Sequence, residues 1–305
     1  MDTQTKAQFP REQTKDGRFV RQDDHFRGWV SADGHTGFPA VSGRYQLFVS
    51  LACPWAHRTI IMRKLKRLET AIPMTIVDPI RDERGWRYGT HFLRELYVAS
   101  DPSYRDRVTV PVLWDMQTKR IVSNSDDDIL RMFETEFDAI GDPHPDFYPR
   151  QHRAEIDALN TEIFHDLNDG VYQAGFATSQ AAYEEAAYRV FAMLDRLEER
   201  LKTRRFLFGR APVETDWRTF VTLIRFDPVY YGHFKCNLRR IVDYPNLYGY
   251  LRDLYQYPGV AQTVDFDHIK RHYYYTHDDI NPTRIVPIGP LQYLEIPAGR
   301  EHIGS

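Results

Sequence analysis

The stretch Ser50-Leu51-Ala52-Cys53-Pro54-Trp55-Ala56-His57-Arg58 constrains this chain more than any other. Before it stands Tyr45-Gln46-Leu47-Phe48-Val49, a run of β-forming residues. After it, Ile61, Leu65 and Leu68 recur at helical spacing. Cys53 therefore falls where a strand turns into a helix. Pro54 suits the first helical position, because its missing N–H has no intrahelical partner to lose. At the cap, the helix dipole and the free N–H groups favour a thiolate, the reactive form of cysteine. Position 56 is Ala, so no second cysteine stands in the motif and any resolving thiol comes from elsewhere.

A short strand at Met74-Thr75-Ile76-Val77 completes a βαβ unit and implies parallel pairing. Residues 78–107 break the pattern and read as a long functional or mobile loop. Val108-Thr109-Val110-Pro111-Val112-Leu113-Trp114 and Ile121-Val122 read as a hairpin. The proline inside that β run requires either an edge position or a cis bond at Val110-Pro111. Ser125 caps a helix that opens with Asp126, Asp127 and Asp128. Beyond the Gly141–Pro145 linker the texture is helical. The apolar sets are Ile156, Leu159, Ile163 and Leu167, then Val190, Met193, Leu194 and Leu197, then Phe220, Leu223 and Ile224, then Leu247, Leu251 and Leu254.

Four segments follow: an arm over 1–43, an α/β thioredoxin-like domain over 44–140, an all-helical domain over 150–265, and a Tyr- and Pro-rich tail over 266–305 packed on the helical domain. A net charge of −3 with interspersed signs gives no field for nucleic acid or an anionic membrane. No apolar run is long enough to span a bilayer. Met1-Asp2-Thr3-Gln4-Thr5-Lys6 lacks the apolar centre of a signal peptide. Two cysteines, Cys53 and Cys236, fit a reducing, cytoplasmic setting rather than a disulfide framework. Cys236 has no cap signal and reads as structural. The basic cluster Arg63–Arg67 reads as the solvated face of its helix. His268, His272 and His277 have neither a cysteine nor clustered carboxylates beside them, so no metal is expected.

This architecture resembles a glutathione transferase. The Cys53 motif resembles that of the xi class, the glutathionyl-hydroquinone reductases. So do Gly170-Val171-Tyr172-Gln173-Ala174-Gly175-Phe176-Ala177, Arg225-Phe226-Asp227-Pro228-Val229-Tyr230, His233-Phe234-Lys235-Cys236, Asn281-Pro282-Thr283 and Ile288-Gly289-Pro290. The resemblance implies a homodimer that uses glutathione as co-substrate and acts on aromatic glutathionyl adducts. It implies Cys53 as nucleophile, Tyr172 as proton donor, and Tyr230 and Tyr273 as supports of the thiolate. Trp86, the Arg107, Val108, Thr109 and Val110 backbone, and the Ser125–Asp126 helix start resemble the glutathione cradle. The family usually reads Asn-Glu-Ser where this chain reads Asn124-Ser125-Asp126. Unless another cation intervenes, Asp126 is expected to repel the γ-glutamyl carboxylate. Val213 stands where the family has a capping Thr. The alternative activities are an omega-like thiol transferase or dehydroascorbate reductase, or a transferase-fold binding protein with impaired glutathione binding.

Overall fold

The computed structural model describes residues 12–304; residues 1–11 of the expected arm lie outside the described residues. The chain divides into two compact units. The first comprises residues 22–146 with 262–277, and the second residues 12–21, 147–261 and 278–304.

In the first unit β1 (Tyr45–Val49) leads to α1 (Pro54–Leu65) and β2 (Met74–Ile76). β5 (Val112–Asp115) and β6 (Arg120–Ser123) form a hairpin, and α3 (Asp126–Thr135) follows. The sheet order is β2-β1-β5-β6. β1 pairs parallel to β2 with Leu47 opposite Met74, and antiparallel to β5 with Phe48 opposite Val112. Pro111 precedes β5, whose place is interior, so the strand begins after the proline and the edge alternative falls away. The Val110-Pro111 bond is cis.

α1 is buried from Pro54 to Arg63, a helix enclosed on nearly all sides. This corrects the reading of Arg63–Arg67 as a solvated face. Arg63 donates to the Ile72 and Glu69 carbonyls at 2.6 and 2.8 Å, and buried Lys66 pairs with Asp138 at 3.0 Å. Both charges close the end of the helix, and only Arg67 is exposed.

The 78–107 segment is more ordered than a loop. It holds a two-stranded ribbon, β3 (Arg87–Tyr88) and β4 (His91–Phe92), turned at Gly89, and the helix α2 (Arg94–Ser100). Strands of two residues carry too little periodicity to be read from sequence.

The arm works as an edge guard. Gly28 N–H donates to the Val122 carbonyl at 2.8 Å, Asn124 N–H to the Phe26 carbonyl at 3.1 Å, and Arg27 bridges Ser123 antiparallel. The free edge of β6 is thereby covered.

In the second unit the helices are α4 (Arg153–Ile163), α5 (Gly170–Gly175), α6 (Gln180–Arg200), α7 (Glu214–Arg225) and α8 (Pro245–Tyr255). Two π-helical turns, Phe164–Asn168 and Phe226–Tyr230, follow α4 and α7. Such turns recur at functional sites. Val213 gives α7 no side-chain cap; instead it packs with Tyr148 and Ile156, and Asp216 accepts the Val213 N–H at 2.8 Å. Core packing has taken the place of the hydroxyl.

The expected single tail is divided. α9 (Phe266–Thr276) belongs to the first unit, capped by Asp265, whose carboxylate accepts the His268 N–H at 2.8 Å. Residues 278–304 belong to the helical unit, where buried Arg300 donates to the Leu201 and Arg204 carbonyls. Among the described residues no helix is long and apolar enough to cross a membrane.

A methyl group on Gly28 would stand 2.6 Å from the Val122 carbonyl oxygen. Gly28→Ala is expected to cost about 1–3 kcal/mol, the range of overpacking, and to open the arm to protease. A melting curve alongside limited proteolysis checks it; an unchanged pattern rejects the guard.

Candidate active site

The local fold presents Cys53 as expected. It is the N-cap of α1, half-buried, with extended backbone (φ −74°, ψ 123°) and Pro54 as the first helical residue. Its N–H donates to the Ser50 carbonyl at 3.2 Å, and its own carbonyl accepts from His57 N–H at 3.0 Å. The Sγ lies 3.6 Å from the Val110 carbonyl oxygen, so the thiol stands beside the cis-proline segment.

That segment is held by two tyrosines the sequence did not single out. The Tyr104 hydroxyl donates to the Arg107 carbonyl at 2.5 Å. The Tyr97 hydroxyl donates to the Thr109 carbonyl at 2.9 Å and accepts the Thr109 N–H at 3.2 Å. Burial pushes the Tyr97 phenol well above its ordinary value, so it acts as a fixed neutral bridge. Asn124 adds a bond to Thr109 Oγ1 at 3.2 Å and accepts the Phe26 N–H at 2.8 Å. Val108 adjoins Thr109 in this segment and is half-buried.

The start of α3 holds the other residues expected to form the cradle, Ser125 and Asp126. Ser125 is the N-cap, and its hydroxyl accepts the Asp128 N–H at 3.4 Å. Asp126 does not stand as a bare anion. Arg58, with no exposure to solvent, reaches it at 2.8 Å and reaches Asp127 at 3.3 Å. A cation thus intervenes where repulsion was expected. Asp24, from the arm, joins the cluster. Burial first, then the Asp126 charge, raise its carboxyl to about 7, against the weaker pulls of Arg27 and a Ser125 hydrogen bond. Arg27 itself is bonded to Asp128.

Trp86 is buried, with its ring stacked on His272 at 4.9 Å and the Arg81 guanidinium 6.0 Å from its centroid. His272 shares a hydrogen bond with the Pro79 carbonyl at 2.8 Å, and burial pushes its imidazole down to about 3. That ring is a packing element. Tyr273 is buried on α9, its ring 5.4 Å from those of His272 and His277. Within the first unit, a cleft of about 360 Å³ is lined by Val77, Asp78, Arg87, Tyr88 and His268, among others.

Tyr172 and Tyr230 lie in the second unit, where the structure brings them together with ring centroids 6.0 Å apart. Phe234 lies 5.3 Å from Tyr172 and stacks on Tyr230 at 5.5 Å. Gly175 makes this approach possible: a methyl there would meet the Phe234 ring at 2.2 Å. Cys236, in contrast to Cys53, is fully buried, and burial pushes its thiol up to about 12.

A family model described as the glutathione S-transferase N-terminal domain matches residues 52–136, and one described as the C-terminal domain matches residues 180–253. The chain is 51% identical to the glutathionyl-hydroquinone reductase YqjG of Escherichia coli (strain K12), covering 93% of each chain. The chain belongs to the glutathione transferases, in the xi class of glutathionyl-hydroquinone reductases. It is also 47% identical to the glutathionyl-hydroquinone reductase PcpF of Sphingobium chlorophenolicum over 91% of each chain. Superposition on the glutathione-bound structure of YqjG gives a TM-score of 0.89 over 91% of this chain and 96% of that one. Superposition on the xi transferase of Phanerochaete chrysosporium, 45% identical, gives 0.86 over 90% and 98%. The transferase fold and the thioredoxin-like sheet expected from sequence hold.

Two expectations test this cluster. Asp126→Ser removes the shorter of Arg58's two carboxylate contacts and leaves that to Asp127. The loss in urea unfolding should be about 2 kcal/mol, less than the roughly 3–5 kcal/mol of a fully broken buried pair. No loss would mean the pair is idle. The second concerns Asp24. The folded protein holds a proton there that the unfolded chain, titrating near 3.8, releases. Its contribution to stability is therefore full at low pH and is lost as pH rises from about 4 through about 7. In Asp24→Asn the melting temperature should fall less across that window than in wild type; parallel curves would refute it.

Proposed function

We propose that this xi transferase reduces S-glutathionyl-hydroquinones to hydroquinones, using a second glutathione, through a Cys53 thiolate. The observation that carries the reading is the Cys53 thiol at the start of α1, 3.6 Å from the Val110 carbonyl. High identity to two glutathionyl-hydroquinone reductases over nearly the whole chain supports the substrate class.

The steps balance with one cysteine. The Cys53 thiolate attacks the glutathionyl sulfur of the substrate, and the carbon–sulfur bond breaks. Tyr172, as general acid, first protonates the sulfur-bearing ring carbon while the ring hydroxyl gives up its proton, so the ring reacts as its keto tautomer and the electron pair passes to the carbonyl oxygen as aromaticity returns. Cys53 is left as a mixed disulfide with glutathione. A second glutathione thiolate attacks it, releasing glutathione disulfide and the Cys53 thiolate. Tyr230 and Tyr273 support the sulfur by their hydroxyls. The glutathione backbone is received by the Arg107–Val110 segment and Trp86. Its γ-glutamyl end meets Ser125 and Asp126, where the Arg58 charge offsets that of Asp126. No metal takes part in these steps. The same reading takes the protein as a cytoplasmic homodimer, and the two free thiols fit a reducing compartment.

Cys53→Ala is expected to reduce turnover of a glutathionyl-menadiol adduct to background, while Cys236→Ala keeps most of it. Intact-mass analysis should find one glutathione on Cys53 of wild type. Equal loss in both variants would end the single-nucleophile mechanism. Turnover only of small disulfides would move the protein to the thiol transferases.

A further inference from the structure

Residues 12–21 of the arm belong to the helical unit and are pinned there. Gln13 Nε2 donates to Thr178 Oγ1 at 3.1 Å, Thr178 N–H to the Gly17 carbonyl at 3.0 Å, and Ser179 Oγ to the Asp16 carbonyl at 2.7 Å. Arg18 pairs with Glu185 of α6 at 2.8 Å. These anchors fix the next residues against α5. The Arg21 guanidinium then lies 4.9 Å from the Tyr172 ring centroid and 5.4 Å from that of Phe19.

Its orientation is set from the other side. Arg21 Nε donates to Asp169 Oδ1 at 2.6 Å, immediately before α5. Asp169 Oδ2 accepts from Gln173 Nε2 at 2.9 Å, and Gln173 Oε1 accepts from Arg189 Nη2 at 2.6 Å. A guanidinium carried on a chain of hydrogen bonds is not a casual neighbour. Burial disfavours its charge, but Asp169, Tyr172 and Glu12 outweigh that, so Arg21 stays cationic.

We propose that Arg21 is a positioning residue for Tyr172, its charge held over the ring so as to favour the phenolate that proton donation leaves behind. The proposal rests on the reading of Tyr172 as proton donor. The physical basis is general. A cation over a phenol face gains a quadrupole attraction from the neutral ring, and a full Coulombic attraction once the oxygen is an anion. It therefore lowers the energy of the donated state more than that of the starting state. The other groups around this corner do less. Asp169 and Glu12 are anions already engaged with Arg21. Arg189 acts through Gln173. Glu185 is bound to Arg18. His233, pushed down to about 4 by burial, is neutral.

The test is a titration of the Tyr172 phenol by NMR in protein carrying Cζ-labelled tyrosine, the resonance being assigned by its loss in Tyr172→Phe. In Arg21→Gln the midpoint should rise by about 1 to 2 pH units. In Arg21→Lys, which keeps the charge but not the planar fork, it should return at least halfway. The turnover number should fall about tenfold in Arg21→Gln, with KM for glutathione unchanged. An unchanged midpoint in Arg21→Gln overturns the proposal. Full turnover in Tyr172→Phe instead removes the donor reading, and the titration still decides the electrostatic claim.

Discussion

A guanidinium with no access to water needs a carboxylate, and Arg58 finds Asp126. Much of the first unit follows from that pair. α1 is buried on nearly every side, so a charge on it has few places to go. The start of α3 is one of them, since its first-turn acids already sit well in the helix field. The pair joins α1 to the start of α3, the two helices that begin at Cys53 and Ser125. It also changes the meaning of the residue at 126. An aspartate there is an added anion in isolation, and the neutralising half of an ion pair in context. The local charge beside Ser125 is then set by the whole cluster of Arg58, Asp126, Asp127 and Asp24 rather than by one substitution.

The arm is the second organising feature. Residues 22–30 close the sheet edge at β6 and bring Asp24 to Ser125. Residues 12–21 bring Arg21 to Tyr172 in the other unit. A segment with little secondary structure thus supplies a charged group to each unit. Its conformation is paid for by backbone hydrogen bonds and ion pairs, because it has few apolar residues to bury.

The parts legible in the sequence were those with a local cause. The strand–cysteine–proline–helix junction, the Ser125 cap and the apolar spacing of α4, α6, α7 and α8 all rest on neighbours within a few residues. What stayed hidden depends on partners far along the chain. The burial of Arg63 and Lys66 follows from carbonyls and an acid beyond the helix end. α9 was obscured because its tyrosines and histidines are indifferent helix formers, and only Asp265 marked its start. Tyr97 and Tyr104 looked like two more aromatics in a loop; their function is in the hydroxyls that grip Thr109 and Arg107. Arg58 was inside the most informative motif of the chain, yet nothing local pairs it with a residue 68 positions away.

The two guanidinium pairs share a construction. Asp126 opens α3 and Asp169 precedes α5. Asp126 lies in the first turn of α3, Asp169 is bonded by Gln173, and in each case the carboxylate steadies an arginine. The arginine is thereby held by geometry rather than by charge alone, since a guanidinium bonded through one edge keeps its other face available. Arg58 presents its face to Trp55 at 4.8 Å, and Arg21 presents its face to Tyr172 at 4.9 Å. The difference lies in the ring. An indole has no ionisable oxygen, so the first stack can only brace the cysteine helix. A phenol has one, so the second can also bias a proton.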